Sequence, residues 1–263
     1  MRRSSLQILR AVWFALTIRE VQALTGRRRL GTFWALAEPV LHVLVLSLVM
    51  SVLRQRADIA GHPYPVFLVT GLVPFLAYRR IVLLVAEGVG SARALMAYRQ
   101  ITPLDTFVVK AIMAVGLMAL VYAVISAAFE WYGWSMQIHR PLEWLLVIAL
   151  GFLFSFGLAL VLAAIVNAIP ESSIVIRMVF MPLYFISGVI IPATHLPPQF
   201  LPYLLWNPLL HVTELTRVAA LDHFVTVQGV SATYVAAVSG VLLFAGLGLY
   251  RVFRFRYVAI RGQ

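Results

Sequence analysis

Cysteine is absent from the 263 residues, which removes disulfides, thiolate nucleophiles and zinc–thiolate sites together. Lysine is almost absent: Lys110 stands alone, preceded by Phe107-Val108-Val109 instead of the glycine-rich turn of a Walker A loop. ATP hydrolysis by that route is therefore excluded for this chain. No G-x-S-x-G elbow and no H-E-x-x-H pair occurs, so no catalytic or metal-ligating residue is assigned. No two glycines lie four apart, and no internal repeat is visible, which argues against a transporter built from duplicated halves. Charge is scarce as well: 12% of residues are charged, about half the share of a soluble domain.

Apolar residues fill the gap. They make up 62% of the chain, with a mean hydropathy of +0.93. The net charge of +11 comes from basic residues placed between apolar runs, a pattern suited to an anionic membrane surface or an anionic cargo. The expected fold is an all-α integral membrane protein, because lipid offers backbone groups no other partner. Six runs are long enough to be spans: about 33–53, 66–86, 108–129, 144–167, 174–192 and 230–250.

Arginine and lysine set the orientation. With the N-terminus inside, fifteen of them fall on the cytoplasmic side, against Arg54, Arg56, Arg140 and Arg217 outside. Both termini, residues 1–32 and 251–263, are then cytoplasmic, and the leading Arg2-Arg3 belongs to the mature chain. Residues 6–24 are apolar but broken by Arg10, Arg19 and Glu20, which predicts an interfacial helix with moderate amphipathy. Residues 193–228 contain apolar pieces broken by Pro202 and Pro208. Their length predicts two half-helices forming a re-entrant hairpin in the outer leaflet.

A few polar groups lie within the spans. From Val66 to Tyr78 a helix rises only about 20 Å, short of a core of about 30 Å. Arg79 and Arg80 thus lie inside the membrane, where they either line a polar cavity for an anionic cargo or snorkel as cytoplasmic anchors. Glu38 and His42, four apart in the first span, either pair and line a pathway or serve as packing residues. Arg177 opens the fifth span, and Trp34, Tyr184 and Phe185 offer rings that either stack on sugars or form an interfacial belt. His195, His211 and Glu214 are the nearest approach to an acid/base group, and a membrane-embedded transferase is the alternative they raise.

Five segments carry a resemblance. They are Ile18-Arg19-Glu20; Leu30-Gly31-Thr32-Phe33-Trp34-Ala35-Leu36-Ala37-Glu38-Pro39; Tyr98-Arg99-Gln100-Ile101-Thr102-Pro103-Leu104-Asp105; and Tyr184-Phe185-Ile186-Ser187-Gly188 with Leu204-Leu205-Trp206-Asn207-Pro208-Leu209-Leu210-His211-Val212-Thr213-Glu214-Leu215. In this order they resemble the permease subunit of capsular polysaccharide ABC exporters, the KpsM-type branch of the ABC-2 permeases. The resemblance implies a homodimer bound to two copies of a separate ATPase, which holds the ATP and magnesium while this chain binds no cofactor. It further implies a lipid-linked, often acidic polysaccharide as cargo, and a periplasmic co-polymerase and an outer-membrane channel as partners. O-antigen, teichoic acid or lipid export on the same scaffold is the nearest alternative. The resemblance places Arg19 and Glu20 near the ATPase-facing gate, and Arg93, Tyr98, Arg99, Pro103 and Asp105 in a coupling loop at 91–105. Tyr184, Phe185 and Ser187 would face the dimer seam and the sugar path.

Overall fold

The computed structural model describes residues 5–25, 31–53, 58–88 and 100–258. Arg93, Tyr98 and Arg99 lie outside the described residues. Helices dominate: α1 (Ser5–Thr25), α2 (Gly31–Leu53), α3 (Tyr64–Ala86), α4 (Pro103–Tyr132), α5 (Pro141–Ala168), α6 (Ser172–Ile186), the single turn α7 (Leu201–Leu204), α8 (Pro208–Ala220) and α9 (Ala232–Val258). Four of them, α3, α4, α5 and α9, are long and apolar enough to cross a membrane. Shorter apolar stretches of helix occupy Leu36–Met50 and Ser172–Ile186.

The six expected spans each fall on a helix, but several ends move: α9 runs to Val258 where 250 was expected, and two other shifts have a clear local cause. The helix expected at 108–129 starts five residues earlier. Thr102 caps it by accepting from the Asp105 amide at 3.3 Å, while the Asp105 carboxylate accepts from the Thr102 amide at 3.0 Å. With Pro103 at the first helical position, this capping box turns the end of the expected coupling loop into the first turn of α4. The helix expected to reach residue 192 stops at Ile186, because Gly188 takes a left-handed φ of +70°. Of the two half-helices expected in 193–228, α8 is a full helix of 13 residues, whereas the other is reduced to 3-10 turns and α7.

α3 is the hub. Seventeen of its residues are buried, and it packs on α2, α4, α5, α6 and α8. α5 and α9 share the most extensive contact of any helix pair described. Their contact uses one glycine from each helix: a methyl at Gly157 would sit 2.9 Å from the Leu243 nitrogen, and one at Gly246 would sit 2.6 Å from Leu160 Cβ. The close approach that a GxxxG pair provides within one helix is thus divided between two. Gly246→Leu is expected to cost about 1–3 kcal/mol through overpacking, read as a lower unfolding midpoint in detergent.

α1 lies along α4. Val12 and Leu16 pack on Val109, and the Trp13 indole donates to Asp105 Oδ1 at 2.9 Å. Farther along, Lys110 Nζ sits 3.0 and 3.1 Å from the two Glu20 oxygens. Phe14, Ile18 and Val21 stay exposed on α1, so the helix has apolar side chains both on α4 and away from it.

Candidate functional site

Five of the sequence-derived pathway residues converge. Glu38 and His42 from α2, Arg79 and Arg80 from α3, and Arg177 from α6 line one cavity of about 370 Å³, with Glu87 from the end of α3 and Met118 from α4. Helical spacing explains the convergence: Glu38 and His42 are one turn apart on α2, and α3 brings its arginines to the same level. Arg79 begins about 22 Å along α3, some 10 Å before its end.

The charges in the cavity do not cancel. Arg177 is held by Glu87 in a fork, Nε to Oε1 at 2.8 Å and Nη2 to Oε2 at 2.6 Å. Among the described residues, Glu38 is then the one carboxylate left against two guanidinium groups, so three arginines face two carboxylates and these groups keep one positive charge in excess. The Nε atoms of Arg79 and Arg80 are buried with no acceptor among the described residues. Burying guanidinium donors without acceptors is costly, and an incoming oxyanion would relieve that cost.

Aromatic groups border the cavity on one side. The Tyr184 hydroxyl lies 3.5 Å from His42 Nε2, and its ring packs edge-on against Phe75 and Phe185, with centroids 5.5 and 5.4 Å apart. Phe185 is exposed, as is Trp34, one turn before Glu38 on α2 and edge-on to Phe33. Ser187 is elsewhere. It is fully buried and accepts from Asn207 Nδ2 at 2.9 Å. Of the ATPase-side candidates, Glu20 and Asp105 both hold α1 on α4, Pro103 starts α4, and Arg19 is half-buried on α1.

A second polar cluster involves residues that the sequence reading weighed as a transferase group. His211 uses both ring nitrogens, Nε2 toward the Leu205 carbonyl at 2.7 Å and Nδ1 accepting from the Ser231 amide at 2.9 Å. Glu214 is fully buried and accepts from the Ala193 amide at 3.2 Å and the Thr226 hydroxyl at 2.7 Å. His195 is exposed beside Thr194, away from this pair's hydrogen bonds. His211 and Glu214 are both taken up in hydrogen bonds to the surrounding backbone and Thr226, and the described residues hold no cluster suited to a metal.

This cluster instead locks α8 in place. Arg217, expected as an outer-loop charge, is wholly buried: it donates to the carbonyls of Gly188 and Val189, lies 3.5 Å from Glu214, and stacks 3.8 Å over the Phe67 ring. Gly71 on α3 leaves room for the guanidinium, since a side chain there would collide with it. Asn207 caps α8 by accepting from the Leu209 amide at 3.0 Å while donating to Ser187. The conspicuous Tyr184-to-Gly188 and Leu204-to-Leu215 segments are thus two halves of one packing unit. Arg217→Met is expected to cost about 3–5 kcal/mol by stranding the Glu214 carboxylate, measured as a drop in thermal midpoint without change in the cavity.

Residues 11–221 match the ABC-2 type transporter family. The chain is 34% identical over 253 residues to the polysialic acid transport protein KpsM of Escherichia coli, covering 95% of this chain and 96% of that protein. It is 29% identical over 260 residues to the capsule polysaccharide export inner-membrane protein CtrC of Neisseria meningitidis serogroup B, covering 95% and 93%. To BexB of Haemophilus influenzae, another capsule polysaccharide export inner-membrane protein, identity is 26% over 216 residues, covering 82% and 81%.

Proposed function

The chain belongs to the ABC-2 type transporter family, and from that premise we propose that it is the membrane permease of a capsular polysaccharide exporter. It sits in the bacterial inner membrane with both termini cytoplasmic, and its ATP and magnesium are handled by a separate ATPase. The cavity of Arg79 and Arg80 carries this reading on the structural side. Its excess positive charge, set by Arg79 and Arg80 within a helix long and apolar enough to span a bilayer, suits an acidic cargo.

On this reading α2 and α6 complete six spans, and residues 193–228 form the re-entrant hairpin. Two copies pair through α2 and α6, whose exposed apolar faces include Leu44, Leu48, Met178 and Met181. Trp34, Tyr184 and Phe185 then border the seam between the copies and offer rings to the sugars. The basic cytoplasmic side gathers an anionic, lipid-linked polysaccharide, and closure of two ATPase subunits moves α1 and the head of α4 as rigid bodies. A periplasmic co-polymerase and an outer-membrane channel would receive the product. Ser187 acts in this scheme only through the hairpin lock.

Gentle purification of the tagged chain from its native membranes tests the reading. Vanadate-sensitive ATP hydrolysis, carried by a co-eluting soluble ATPase, is the expected result. An intact, partner-free protein with no hydrolysis would count against it.

A further inference from the structure

α3 packs on both α4 and α5, yet α4 and α5, consecutive in sequence, barely approach each other. The gap between them is an apolar furrow with α3 as its floor. One part, of about 330 Å³, is lined by Pro74, Ala77, Ala119, Tyr122, Trp144 and Phe152. A second part, of about 400 Å³, shares Val115 and Phe152 with the first and continues to Val108 and Phe156. Between Trp144 and Phe156 the furrow follows α5 for about 18 Å, close to the roughly 15 Å hydrocarbon depth of one leaflet.

One end of the furrow carries a polar handle. Trp144 stands in the first turn of α5, beside the α4–α5 connection, and its indole Nε1 is buried without an acceptor among the described residues. An indole nitrogen only donates, and hydrocarbon offers it nothing. At the depth where tryptophans gather in membranes, the ester carbonyl of a glycerophospholipid is an available acceptor. The Tyr122 ring, tilted against the indole with centroids 5.5 Å apart, forms the adjoining wall.

We propose that this furrow is a lipid seat. One acyl chain of a membrane glycerophospholipid lies between α4 and α5 against α3, and its ester carbonyl accepts a hydrogen bond from Trp144 Nε1. The lipid comes from the leaflet on the side of the α4–α5 connection. Met118 lines both this furrow and the arginine cavity, so the seated chain supports the α4 wall of that cavity from behind. The seat needs only that these helices span the bilayer, and it holds whatever the cargo is.

Native mass spectrometry of the assembled protein, released from its membranes in mild detergent, tests this. The expected spectrum shows a phospholipid retained on each chain, with retention falling about fivefold in Trp144→Phe, the worth of one neutral hydrogen bond. Ala119→Phe, which fills the furrow, is expected to abolish retention. Wild-type protein that sheds all lipid without loss, or variants that retain it equally, would overturn the proposal. So would a retained lipid that carries sugar, because the furrow would then hold cargo.

Discussion

Changing Arg79 and Arg80 together to glutamine is expected to abolish export while the protein still inserts and assembles. The two guanidinium groups carry the cavity's excess charge: Glu87 is occupied by Arg177, and Glu38 alone offsets one of them. Glutamine keeps hydrogen-bonding capacity and most of the length but removes both charges. Two charge-assisted bonds to an oxyanion are worth about 3–6 kcal/mol together, so loss of both predicts at least a 100-fold fall in export. Arg177→Gln is a useful contrast. Its pair is largely exposed, and such pairs contribute about 1 kcal/mol or less, so export should fall only a few-fold. Cell-surface polysaccharide measured alongside membrane abundance separates the cases. Normal export by the double variant would show that the arginines are interfacial anchors.

The second large effect is expected at the only lysine in the sequence. Lys110→Met leaves the Glu20 carboxylate, 19% exposed, without its cation in a largely apolar contact between α1 and α4. Removing one partner of a buried pair costs about 3–5 kcal/mol, and residual access of water to Glu20 places this case near the lower figure. That exceeds what Val12, Leu16 and the Trp13–Asp105 bond readily hold alone, so α1 should come away from α4. If α1 carries the ATPase stroke, hydrolysis will continue while export per ATP collapses. The exchanged pair, Glu20→Lys with Lys110→Glu, should restore part of the coupling. Export per ATP in reconstituted vesicles, with a spin-label distance between α1 and α4, is the deciding measurement; unchanged distance and yield in Lys110→Met would remove α1 from the coupling path.

The sequence revealed the cavity better than the contacts around it. Charged residues inside apolar runs are rare and expensive, so Arg79, Arg80, Glu38 and His42 stood out, and helical spacing brought them together. Glu87 carried no such signal. It lies at a helix end, where a carboxylate is ordinary, and its pairing with Arg177 spans 90 residues. Arg217 was missed for a related reason. Counting charges for topology treats an arginine outside a span as exposed, although Glu214 at i−3, within a stretch of apolar residues, hinted at an internal pair. Lys110 was informative only as a missing Walker lysine, since nothing local points to Glu20. Helix positions followed from hydropathy. Their ends depended on local chemistry, the Thr102–Asp105 box in one case and the left-handed Gly188 in the other, which hydropathy does not record.

The lock around α8 also bears on how the protein is made. The cluster's partners arrive in order along the chain: Thr226 completes Glu214, then the Ser231 amide reaches His211, and last the Tyr234 hydroxyl bonds the Trp206 carbonyl. α8 lies against α3, α5 and α9, and α9 follows it in the chain. The Glu214–Arg217 pair can therefore be satisfied once Thr226 is made, whereas the two ends of the α7–α8 turn, Trp206 and His211, gain their last partners only with the start of α9. A chain cut before residue 231 would keep the buried ion pair but lose the bonds that hold His211 and the Trp206 carbonyl, so the lock would form first at its charged centre and close last at its edge.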